Sequence, residues 1–102
     1  MVVEVSADML APADRVWAEV KRTLLRRGVI PQRMDDRELV LEMKESGGLA
    51  RRVSVEQTLG PRSRCTERIE LPSGALAALG WIRAQAGARL RLARLRRTAR
   101  TL

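Results

Sequence analysis

The sequence has no histidine, no phenylalanine, no tyrosine and a single cysteine. Without histidine the common zinc and haem ligand sets cannot be assembled, and the usual general base near neutral pH is missing. No metal and no cofactor is expected. Cys65, being alone, excludes an intramolecular disulfide. The only aromatic residues are Trp17 and Trp81, so the core must be built from Val, Leu, Ile, Met and Ala. Long apolar runs are missing too. The longest uncharged stretch, Leu71–Ile82, has twelve residues and contains Pro72, against about 20 needed to span a bilayer. The opening Met1–Met9 carries Glu4 and Asp8 and does not read as a signal peptide. A soluble, cytoplasmic protein is expected.

Negative charge is absent from one region. Ser73–Leu102 holds seven arginines and no acidic residue. Residues 1–50 carry a net charge of −1 and residues 51–102 a net charge of +9, which together give the +8 of the chain. Such asymmetry points to an anionic partner, nucleic acid or membrane. Eighteen of the twenty basic residues are arginine, a bias that a GC-rich coding sequence would also produce.

What is present is enough for one domain, 1–102, with 45% hydrophobic residues and a single core. Val2–Met9 alternates, with Val3, Val5, Ala7 and Met9 on one side, and reads as a half-buried strand. Pro12 suits a first helical position and Asp14 the positive first turn. Ala13, Val16, Trp17, Val20 and Leu24 then make one helical face, ended by Gly28 as a C-cap.

A strand leading into Ala11-Pro12, with Val16-Trp17 following on the helix, resembles the opening of the START/polyketide-cyclase-like superfamily, the helix-grip group that includes the Bet v 1-like proteins. The resemblance implies an α+β fold: strand, helix, antiparallel strands, and a long C-terminal helix across a curved sheet. It also implies an apolar ligand held between sheet and last helix, or in some members cyclase or hydrolase activity.

The remaining chain is read in that order. Val29–Met34 is predicted as a strand kept at an edge or bulge by Pro31. Asp35-Asp36-Arg37 reads as a turn, and Glu38–Lys44 as a strand with Leu39, Leu41 and Met43 inward. Ser46-Gly47-Gly48 turns the chain into Arg51–Leu59, with Val53, Val55, Gln57 and Leu59 on one face. Gly60–Ser63 turns it again into Arg64–Leu71, with Cys65, Glu67, Ile69 and Leu71 on one face. These short strands make an antiparallel meander. Family members usually have a larger sheet and an extra short helix, so the cavity here is expected to be reduced or absent.

The last helix is predicted from Ser73, a candidate N-cap. One stripe, Ala77, Trp81, Ala84, Ala88, Leu92, Leu95, Ala99 and Leu102, runs its full length and is expected to cover the sheet. A second, Ala75, Leu79, Ile82, Ala86, Leu90 and Ala93, lies nearly opposite and offers a dimer interface. Gly80 and Gly87 either permit close backbone approach or are weak spots of roughly 1 kcal/mol each.

Gln57 and Glu67 are polar where strand parity demands apolar residues. A three-residue loop closed by Gly60 and Arg64 would set Gln57 across from Glu67. A ligand pocket would explain both. So would an open sheet edge, a mutual hydrogen bond, or an arginine of the last helix. The expected ligand contacts are Gln57, Glu67, Trp81 and Met43, around a small apolar ligand or lipid. A buried glutamate can act as general acid or base, and a cyclase- or hydrolase-like enzyme centred on Glu67 is a second alternative. Glu67 has no histidine, second carboxylate or reactive cysteine to work with, however, and a non-enzymatic domain is the first expectation. The alternative is a basic adaptor meeting nucleic acid or an anionic surface through Arg83, Arg91, Arg94 and Arg97. Against nucleic acid, aromatics to stack bases are lacking.

Overall fold

A computed structural model describes residues 1–45, 48–72 and 77–101. In chain order it contains β1 (Val2–Met9), α1 (Ala13–Arg26), β2 (Arg33–Asp35), β3 (Val40–Lys44), β4 (Ala50–Gln57), β5 (Ser63–Glu70) and α2 (Ala77–Ala99). The strands form one antiparallel sheet in the order β1-β5-β4-β3-β2. Both helices pack on the same face, α1 against β4 and β5 and α2 chiefly against β1. This is the α+β helix-grip architecture.

Alternation in the sequence decides which sheet face is covered. Val3, Met9, Leu41, Met43, Val53, Val55, Cys65 and Ile69 are buried beneath the helices, each large side chain contributing about 1.5–3 kcal/mol. The opposite face is mostly polar and solvated, with Glu4, Asp8, Arg52, Glu56, Arg64 and Arg68 exposed on it and Val40 its one buried apolar side chain among the described residues. Helix α1 buries Ala13, Val16, Trp17, Val20 and Leu24 as its 3.6-residue period dictates. Pro12 proves to be its N-cap, not its first helical residue. At the other end Gly28 adopts φ 69°, and its N–H donates to Leu25 O while the Val29 N–H donates to Leu24 O. That pair of bonds is a Schellman closure, which needs a left-handed residue. Trp17 is buried and donates from Nε1 to Asp36 Oδ1 at 2.8 Å, tying α1 to the turn between β2 and β3. Lys21 reaches the same oxygen at 2.8 Å, and these two donors, Lys21 foremost, hold the Asp36 carboxyl below its ordinary range.

Three expectations are corrected. The strand predicted over Val29–Met34 is only Arg33–Asp35, and Ile30 is exposed. The ladder gains one more bond at Gln32 and then meets Pro31, which has no N–H to give. Leu39 does turn inward, half-buried against the core, but from the end of the turn at φ 57° and not from the strand, which begins at Val40. Leu59 is 91% exposed, because β4 stops at Gln57 and the three-residue loop spans Leu59-Gly60-Pro61, bracketed by Thr58 N–H donating to Arg62 O. That loop lies two residues earlier than expected, so the register shifts: Gln57 faces Ser63, and Glu67 faces Val53. The parity of both strands survives a shift by an even number.

On α2 the first stripe is buried at Ala88, Leu92 and Ala99 and partly buried at Ala84 and Leu95. Trp81 is 38% exposed and does not cover the sheet as expected. The second stripe stands in solvent at Leu79, Ile82 and Leu90. The expected turn at Ser46-Gly47, the N-cap Ser73 and the stripe positions Ala75 and Leu102 lie outside the described residues. No helix among the described residues is long and apolar enough to cross a membrane.

Candidate ligand site

A cavity of about 120 Å³ lies where α1, α2 and the middle of the sheet meet. Its apolar wall comes from the covered stripes: Val20 and Leu24 of α1, Val53 and Cys65 of the sheet, Leu92 and Leu95 of α2. One polar cluster interrupts this wall. Glu67 is 2% exposed and joined by ion pairs to Arg51 of β4 and Arg91 of α2. Arg91 Nε donates to both carboxylate oxygens, at 3.0 and 3.2 Å. Arg51 is itself buried and extends the chain of charges outward, its Nη1 lying 3.0 Å from Glu45 Oε1.

Each member is placed by simple periodicity. Glu67 shares its strand face with Cys65 and Ile69, and Arg51 shares its own with Val53 and Val55. Neither charge would be tolerated alone among these apolar side chains; together with Arg91 they satisfy one another. Gly87 makes room for the link. A Cβ there would meet Arg91 Nη1 at 3.1 Å, so the guanidinium folds back across the glycine on its way to Glu67. At Gly80 the nearest contact would be the Leu71 side chain at 3.9 Å. Neither glycine brings two backbones together. Their common role as close-approach points is thus corrected: one glycine accommodates a side chain.

The other walls are also charged. Glu19, on the buried side of α1, lies against the Arg22 guanidinium, although its Oε2 is not aligned for a hydrogen bond. Arg27 and Arg94 line the cavity with Thr23 and Thr98, and among the described residues neither arginine pairs with a carboxylate. Burial, with the Glu67 charge adding to it, pushes the Cys65 thiol up to about 12. Its thiolate is therefore scarce at neutral pH, and Cys65 is poorly suited to nucleophilic work.

The residues expected as ligand contacts separate. Glu67 reaches the cavity. Gln57 is at the far end of β4, where Oε1 accepts from Ala13 N at 2.8 Å and Nε2 donates to Gly60 O and Arg62 O. It caps the start of α1 from across the sheet and locks the β4–β5 loop, and it does not touch Glu67. Met43 is buried in the core and borders a separate surface groove, with Arg51 and Gln32. Trp81 lines none of these depressions. The four arginines proposed to meet an anion also divide: Arg91 turns inward to Glu67, Arg94 lines the cavity, Arg97 faces a groove beside β1, and Arg83 is exposed without belonging to either. Arg51 and Glu19 were missed. Arg51 was detectable, since the parity that marks Gln57 as inward marks Arg51 as well.

No family model matches the sequence, and no curated protein matches it. Solved structures do. An uncharacterized protein from Bacillus thuringiensis superposes with a TM-score of 0.62 over 96% of this chain and 98% of its own, at 10% identity. The Zhui aromatase/cyclase from Streptomyces sp. R1128 superposes with a TM-score of 0.56 over 72% of this chain and 70% of its own, at 13% identity. At these identities what is shared is the fold, a distant polyketide-cyclase-like arrangement of sheet and C-terminal helix.

Proposed function

We propose that this chain is a compact, divergent domain of the START/polyketide-cyclase-like type that binds a small apolar molecule without transforming it. The observation that carries the reading is the cavity under α2, with an apolar wall of Val20, Leu24, Val53, Leu92 and Leu95 and a buried ion-pair cluster beside it. Its 120 Å³ falls below the ~300–1,000 Å³ usual for drug-sized ligands and near the ~150 Å³ that admits benzene. The ligand is accordingly about one ring in size. A single negative group on it would gain from Arg27 and Arg94. Glu67 is engaged by two guanidiniums and serves as an anchor for α2, so catalysis is not assigned to it.

Titration of the protein with toluene and with benzoate, followed by amide and methyl NMR shifts, tests this. Both should give saturable shifts at Val20, Val53, Leu92 and Leu95, with benzoate the tighter. Leu95→Trp, which fills the half-exposed wall, should abolish them. Absence of saturable shifts with either compound in the folded protein would overturn the reading.

The basic-adaptor reading retains Arg83, Arg94 and Arg97 and loses Arg91 to its ion pair. Its affinity would fall steeply with salt, whereas binding of toluene would not. A homodimer through the exposed stripe of α2 would pair Leu79 with Ala93 and Ile82 with Leu90 about a two-fold axis at Ala86. The same symmetry sets Arg83 against Arg89, so such a dimer should strengthen as salt is added, which sedimentation would reveal.

A further inference from the structure

The two edges of the sheet are unlike. At one, β2 offers three residues and is preceded by Pro31. At the other, β1 offers eight residues and, among the described residues, no strand lies beyond it. In an antiparallel ladder, pairs that exchange both hydrogen bonds alternate with pairs that exchange none. The Leu71 N–H donates to Met1 O at 2.8 Å, one step beyond the Val2–Glu70 pair, so the odd-numbered residues of β1 bond to β5. The opposite side of β5 agrees in phase, because Thr58 N–H donates to Arg62 O at 3.0 Å. The backbone N–H and C=O groups of Val2, Glu4, Ser6 and Asp8 therefore face outward, and among the described residues no other group bonds them.

Above this same edge runs a groove of about 340 Å³, floored by Val5, Ser6 and Ala7 and overhung by Arg89, Arg96, Arg97 and Arg100 of the C-terminal helix. Among the described residues no acidic side chain lines it. Among the described residues none of the four arginines meets a carboxylate. The acidic side chains of β1, Asp8 and Glu4, lie on the other face of the sheet beside Arg64 and Arg68.

We propose that β1 and the arginines above it form a docking site for an extended acidic peptide, which adds to the sheet as a sixth strand. The outward peptide groups would supply the ladder, and alternate side chains of the guest would point toward α2. Same-face side chains on a strand repeat every ~6.8 Å, close to the ~6 Å rise between Arg96 and Arg100 one helical turn apart. A guest with a carboxylate at every second position matches both periods, the mode in which main-chain bonds give affinity and alternate pockets give specificity. A second copy of this chain does not fit, because edge-to-edge pairing would bring two sets of arginines into one seam. A nucleic acid would satisfy the arginines and leave the peptide groups of β1 unpaired. This inference is independent of the cavity beneath α2.

The test is amide hydrogen exchange with a decapeptide of alternating Glu and Val, set against its block isomer of five Val then five Glu and against a single-stranded oligothymidine. The alternating peptide should bind tighter than the block isomer and slow exchange at Glu4, Ser6 and Asp8, with Val3, Val5 and Ala7 little changed. Arg96→Glu with Arg97→Glu should weaken it by about tenfold. Ser6→Pro removes an outward N–H while sparing the β1–β5 ladder, a position where an edge strand accepts proline, and should abolish the added strand. Equal binding of the two peptides, oligothymidine binding without protection of these amides, or no peptide binding at all would each overturn the proposal. The exchange pattern in the unmodified protein decides the matter even where Ser6→Pro disturbs the fold.

Discussion

Both faces of the sheet carry arginine–carboxylate pairs, in two different settings. On the outer face Asp8 pairs with Arg64 at 3.1 Å, Glu4 with Arg68 at 4.0 Å and Glu42 with Arg52 at 3.8 Å, all between 38% and 67% exposed. On the inner face Glu67, 2% exposed, holds Arg51 and Arg91. The functional groups are the same and the surroundings differ. Water screens the outer pairs, which are worth about 0–1 kcal/mol each. Their effect is to keep most of one face wet, so that the helices settle on the other. The inner cluster sits where an unpaired charge is costly, so it specifies which groups must meet. Arg91 is its only member on a helix, and the cluster therefore acts as a pin between α2 and the sheet beside the cavity.

The largest expected effect tests that pin. Glu67→Ala takes the central anion from the buried Arg51, which keeps only Glu45, and from the partly exposed Arg91, and should cost about 3 kcal/mol in urea unfolding. A loss under about 1 kcal/mol would erase the distinction between the faces. The next effect comes through the neighbouring thiol. Burial raises Cys65 from 9.0 to about 12, so between those values the unfolded chain has lost a proton that the folded chain keeps. Stability should be fully present below pH 9 and fall as pH rises toward 12, by roughly 4 kcal/mol from this group. Cys65→Ala should flatten that alkaline limb relative to the parent, and an unchanged limb would place the thiol in contact with water.

The comparison also marks what could be read from the sequence. Parity alone assigns Val3, Val5 and Met9, Leu41 and Met43, Val53 and Val55, and Cys65, Glu67 and Ile69 to one face, because period two is a property of the chain. The helical stripe from Ala84 to Ala99 follows from period 3.6 in the same way. Register does not follow. Shifting β4 against β5 by an even number keeps every side chain on its face, and the difference lies in which residues close the loop. Gln57 settles it by binding Gly60 O and Arg62 O, long-range and loop contacts that no local pattern displays. Hence Glu67 was recognisable as misplaced, and an arginine of the last helix was among its expected partners, yet Arg51 was not singled out. Trp81 shows the opposite failure. It lies in line with the buried stripe, and periodicity cannot tell where the underlying sheet ends.

A smaller effect separates stability from specification. Replacing Glu67, Arg51 and Arg91 together by methionine removes all three charges at once. Such exchanges of a buried ionic cluster are neutral or stabilising by about 1–4 kcal/mol. Stability should hold here while the pin is lost, and amide exchange along Arg91–Thr98 should quicken relative to the parent. If exchange stays slow, packing by Leu92 and Leu95 is sufficient to seat α2, and the cluster's contribution is confined to the polarity of the cavity.

The smallest effect belongs to the outer face. Asp8→Asn should cost under about 1 kcal/mol, and less still in high salt. Arg64 would not be stranded by it, since Glu56 faces Arg64 directly across the β4–β5 pairing and water reaches the guanidinium. A double-mutant cycle with Arg64→Gln isolates the pair, and its coupling energy should be a few tenths of a kcal/mol. A coupling as large as that of Glu67 with Arg91 would mean that Asp8 and Arg64 are shielded, as they would be if a further chain covered that face. The sign of the effect is therefore less informative than its size, which reports how much water the outer face retains.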